Sequence, residues 1–145
     1  MNAVQLWAVV RDGLGEAPEI LAVLHDRPAA AALVAELGEG HDVAPAPLVP
    51  AGARATVVHT WRCRARVAGG AVAAGEPERL AGASRLVLPG ESVPVVERVD
   101  DDQAADDLAA LVSGERVRHV VAYGATAARA AELAMGRARE LAAGS

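Results

Sequence analysis

Phenylalanine is absent from this chain, isoleucine occurs once (Ile20), and aromatic residues make up 2% of it. A core here has to be assembled largely from Ala, Val and Leu. Burying a Leu or Val contributes roughly 1.5–3 kcal/mol, whereas Ala adds little area. The expectation is a thin core, offset by close approach of the backbones or by a dimer interface.

The chain has 145 residues and is 52% hydrophobic. That is one ordinary domain, or two small lobes sharing a core. Its apolar runs are short and broken by Asp, Glu, Arg, Gly or Pro, well below the roughly 20 residues a membrane span needs. Met1–Trp7 lacks the basic and apolar regions of a signal peptide, so the expected location is cytoplasmic. All 14 positive side chains are Arg, and the residue types with AT-rich codons are scarce. We read this as the mark of a GC-rich genome, so the all-Arg surface is not itself a sign of phosphate binding. A net charge of −5 argues against general nucleic-acid binding. With Cys63 as the single cysteine, an internal disulfide and a multi-cysteine zinc site are both excluded.

Residues 3–11 alternate as a strand, Asp12–Gly15 reads as a turn, and Glu19–His25 returns to complete a hairpin. Asp26 takes an N-cap position, Pro28 is tolerated in the first turn, and Ala30, Val34 and Leu37 follow at helical spacing to Gly38. Pro45 and Pro47 restrict His41–Val49 to an edge strand or a loop. Residues 1–49 thus form a ββαβ lobe, 50–55 a linker, and 56–145 a larger α+β lobe sharing the same core. In that lobe Thr56–Val67 reads as one long strand, with 71–76 as its returning arm. Arg85–Leu88, Val93–Val99 and Arg116–Tyr123 read as further strands, the last of them central because it is nearly continuous in apolar residues. One helix follows Asp100–Asp102, with Ala104, Ala105, Leu108, Leu111 and Val112 as its apolar stripe. A last helix follows Thr126, with Ala130, Leu133, Ala134, Ala138 and Leu141 buried. The fold class is α+β: a largely antiparallel sheet with about three helices packed on it.

Asp26–Val43 matches Asp100–Val117 without a gap, and Thr126 begins a partial third copy. The spacing suggests two ββαβ-like halves. The segment from His25-Asp26-Arg27-Pro28-Ala29-Ala30-Ala31 to Leu37-Gly38 resembles the strand, Asp, Ala-rich helix and Gly cores of small uncharacterised α/β proteins of high-GC bacteria and their phages. Thr60-Trp61 in a strand ahead of a capped helix is similar to them too. The resemblance covers about half the chain and implies a bacterial or phage setting, with no activity to carry over.

Four patterns bear on chemistry. Arg62, Arg64 and Arg66 share one strand face at about 7 Å spacing, suited to an anion or an acidic partner, or else to a solvated face. Gly124-Ala125-Thr126 opens a helix and suits a phosphate, or a plain Thr cap. Asp100, Asp101, Asp102, Asp106 and Asp107 suit a hard cation in kind, but their spacing is that of a first helical turn. The four histidines show no local pairing, and His59 lies about 13 Å from Cys63 along a strand. No catalytic residue, metal or cofactor is assigned. The reading is a non-catalytic protein-binding or adaptor module, with a protein partner or a second copy of itself. The alternative is a small enzyme or sensor of a phosphorylated metabolite at Gly124–Thr126.

Overall fold

A computed structural model describes residues 2–144. The chain divides into two compact units. One runs to Thr56 and includes Leu88–Glu91; the other holds Val57–Val87 and the chain from Ser92 onward.

In the first unit, β1 (Val4–Gly13) and β2 (Glu16–Leu24) form the expected hairpin. Its two-residue turn, Leu14-Gly15, has φ of 45° and 98°. Positive values at both positions match the right-handed twist of the strands, although Leu carries a steric cost there. Helix α1 (Arg27–Leu37) then leads to β3 (His41–Leu48). The strand order is β2-β1-β3, with both outer strands antiparallel to β1. Strand β3 is the edge strand that its prolines require. Pro45 and Pro47 lie opposite Trp7 and Gln5, two residues apart, so both missing N–H groups fall on the side away from β1. Arg27 at the start of α1 stacks on Trp7, 5.4 Å from the ring centre.

The expected long strand Thr56–Val67 is broken. It forms β4 (Thr56–Val58) and β5 (Trp61–Ala68). At the break His59 and Thr60 turn their side chains to Ser84 Oγ (2.7 Å) and the Ala83 carbonyl (3.3 Å) instead of continuing the ladder. Strand β5 turns through Gly69-Gly70 into β6 (Ala71–Ala74), and β7 (Glu78–Arg79) pairs with the start of β5. Strand β8 (Arg85–Val87) pairs with β4. The strand expected at Val93–Val99 is shorter and later, β9 (Arg98–Asp101). Pro94 offers no N–H, and Val93 and Val95 are exposed. Helix α2 (Gln103–Ser113), β10 (Val117–Gly124) and α3 (Ala127–Ala143) complete the unit. The sheet order β6-β5-β10-β9 makes β10 an inner strand, as its composition implies.

The α+β class and the three helices hold. Ala130, Ala134 and Ala138 of α3 are each 0% exposed and meet Cys63, Ala65, Val67, Val120 and Ala122 of the sheet. Small side chains at i, i+4 and i+8 let the helix lie close to the strands, so dispersion contacts replace bulk. The expectation of buried leucine fails. Among the described residues the buried hydrophobics are Ala, Val and Cys63 alone.

Helix α2 also departs from expectation. It packs mainly along β10. Its Leu108, Leu111 and Val112 are 61%, 85% and 78% exposed, and Asp106 is buried in their place. The two-halves reading fails on topology as well. Helix α1 joins two strands that flank β1 in parallel, whereas α2 joins the adjacent antiparallel pair β9 and β10. The helix N-caps are Asp26 and Asp102, with Asp100 still in β9, so the ungapped match pairs residues in different settings.

Candidate functional site

Alternation along β5 sends Cys63, Ala65 and Val67 toward α3 and Arg62, Arg64 and Arg66 to the opposite face. On that face Arg62 is held by Glu78 of β7, Nε to Oε1 at 2.7 Å. Arg64 and Arg66 are exposed, and among the described residues their guanidinium groups have no hydrogen-bond or ion-pair partner.

The register with β10 sets Tyr123 opposite Arg62, Val121 opposite Arg64 and His119 opposite Arg66. The arginine face therefore holds an aromatic ring that β5 itself does not supply. Arg98 of β9 lies over that ring at 6.0 Å and is ion-paired to Asp100 at 2.7 Å.

His119 is fixed by a carboxylate from α2. Asp106, 7% exposed, accepts the His119 backbone N–H at 2.6 Å and the Arg118 Nε–H at 3.0 Å, and its Oδ1 lies 2.9 Å from His119 Nδ1. An ionised carboxylate only accepts, so the ring proton sits on Nδ1 and Nε2 stays free. A cleft of about 330 Å³ beside this pair is lined by Arg64, Asp102, Ala105, His119 and Val121. Sequence reading missed the Asp106–His119 pair because no local motif marks it. The only signal is helical phase: Asp102, Ala105, Asp106 and Ala109 share the inward side of α2.

The rest of the acidic run is dispersed among partners. Asp102 caps α2 by accepting from Ala105 N at 3.1 Å. Asp101 bonds Arg137 through both oxygens, at 2.9 and 2.8 Å, and that hydrogen-bonded pair holds its carboxyl below the usual range. Asp107 accepts from Gln103. Among the described residues no group of three or more His, Cys, Asp or Glu side chains is placed to hold a metal ion.

Gly124 and Thr126 both have structural roles. A Cβ on Gly124 would sit 2.9 Å from Ala130 N, so glycine lets β10 pass against α3. Thr126 Oγ1 accepts from Arg129 N at 3.1 Å as the helix cap. Cys63 is buried on the α3 side, and burial pushes its thiol pKa up, away from the reactive thiolate. His41 Nδ1 lies near the Gly38 and Glu39 carbonyls. His59 is tied to Ser84, so it forms no pair with Cys63.

The architecture defines an α+β protein with an arginine-bearing sheet face. No protein-family model, curated protein or solved structure matches the chain. No helix among the described residues is long and apolar enough to cross a membrane.

Proposed function

We propose that the protein is a binding module that docks an acidic partner on the face of the β6-β5-β10-β9 sheet opposite α3. The observation that carries this reading is the pair Arg64 and Arg66, exposed, adjacent on one face and free of internal partners. A guanidinium without a carboxylate of its own has all its donors to offer. Fluorescence polarisation with a labelled glutamate-rich peptide tests it. The chain carries −5 overall and repels such a peptide at long range, so binding has to come from a local basic patch. Binding that weakens with salt and is lost in Arg64→Gln/Arg66→Gln supports the reading; equal binding by the variant refutes it.

Self-association is a second reading, favoured by the first unit. Val4, Ile20, Val23 and Leu48 are exposed and share the side of the sheet opposite Trp7. Exposed apolar side chains gathered on one side of a sheet offer surface for association. Sedimentation across a concentration series tests it, and a monomer at every concentration overturns it.

A further inference from the structure

We propose that Arg64, Arg66 and His119 form a cradle for a phosphoryl group, which rests on the docking reading and names the chemistry of its partner. Direct cross-strand neighbours have Cβ atoms about 5 Å apart and diagonal neighbours about 7–8 Å. His119 lies directly opposite Arg66 and diagonal to Arg64, so the three side chains rise from one small area of one face.

Each brings donors. The two guanidiniums have no competing acceptor among the described residues. His119 is 27% exposed, and its Nδ1–H is committed to Asp106. When the ring is protonated, Nε2 donates outward and Asp106 balances the imidazolium charge. The charged groups around His119 are Asp106 of α2, its cap Asp102, Asp100 of β9, Arg64 and Arg66 of β5, and its neighbour Arg118. Asp106 is already engaged by Arg118 and by the His119 backbone. Asp102, on the cleft wall, opposes an incoming anion, while Asp100, which stands beside Val121 on the same face, is neutralised by its ion pair with Arg98 at 2.7 Å. A carboxylate ligand brings one negative charge to these cationic side chains, whereas a phosphoryl group presents three oxygens and nearly two charges. The cradle therefore selects phosphoryl over carboxyl.

Calorimetric titration of the full chain with a short Gly/Ala peptide carrying one phosphoserine, with its serine and glutamate counterparts, and with inorganic phosphate tests this. The phosphoserine peptide should bind roughly five- to tenfold tighter than the glutamate peptide. Arg64→Gln and Arg66→Gln should each weaken it by a similar factor. Asp102→Asn keeps a good N-cap while removing the opposing charge, so it should tighten binding. Inorganic phosphate that competes at the same site places recognition in the phosphoryl group itself; failure to compete places it in the phosphopeptide as a whole and overturns the cradle. Equal affinity for the phosphoserine and glutamate peptides, lost in the arginine variants, overturns the cradle and leaves acidic docking standing. Absence of binding by every peptide overturns both.

Discussion

Replacing Asp106 with Ala perturbs the site at its foundation. The carboxylate is 7% exposed and satisfies three donors: the His119 backbone N–H, the His119 ring N–H and the Arg118 guanidinium. Arg118 is half-exposed and returns to water at little cost. The two His119 donors are part-buried, and leaving each without an acceptor costs about 1–3 kcal/mol. Some of that is recovered by water entering the adjacent cleft. The expected loss for Asp106→Ala is therefore about 2–4 kcal/mol, and about half as much for Asp106→Asn, which retains one acceptor. For a chain of this length, that corresponds to a drop in Tm of roughly 5–15 °C for the Ala variant. Urea unfolding followed by circular dichroism measures it. His119→Ala in the Asp106→Ala background should then cost much less than in the wild type, because the orphaned ring is removed with it. A loss below about 0.5 kcal/mol for Asp106→Ala would refute the argument that this carboxylate joins α2 to β10.

Gly124→Ala should destabilise by about 1–3 kcal/mol, because its Cβ meets the α3 backbone, while Gly136→Ala should stabilise by up to about 1 kcal/mol, since nothing lies within 4 Å of the new methyl and a helix interior favours Ala; thermal melts of the pair separate the two effects. Leu14→Asn should stabilise by about 0.5–1 kcal/mol, as Leu14 has φ 45° in the β1–β2 turn and is exposed, so urea titration should show a raised midpoint at unchanged slope. Asp101 and Glu97 are held below their ordinary pKa values of 3.8 and 4.5, chiefly by hydrogen bonds from Arg137 and Arg129. Their contribution is present above those unfolded values and is lost as pH falls through them toward the lower folded values. Stability measured from pH 6 to pH 2 should therefore fall below about pH 4.5, and Asp101→Asn should flatten part of that fall.

The elements that local pattern could specify were legible in the chain. The hairpin of β1 and β2, the edge position of β3, the inner position of β10, the Thr126 cap and the alanine stripe of α3 each follow from periodicity, turn residues or proline. These signals are short-range. The candidate site was legible in part. The facing of Arg62, Arg64 and Arg66 follows from alternation along β5, but Tyr123, His119 and Asp106 come from other elements and join them only through strand register and helix placement.

Helix α2 shows the limit most plainly. By hydrophobicity its Leu108, Leu111 and Val112 stripe should be buried, yet the structure turns Ala105, Asp106 and Ala109 inward. Hydrophobicity ranks faces by transfer energy alone, whereas a buried carboxylate meeting three donors depends on where those donors stand in space. The sequence alone determined the α+β class, the alanine stripe of α3 and the arginine ladder, because these rest on residue type and on spacings of a few residues. Only the tertiary structure decided that the ladder has a histidine beside it and a buried aspartate beneath that histidine, because hydrogen bonds between residues 13 apart form only after helix and strand have docked.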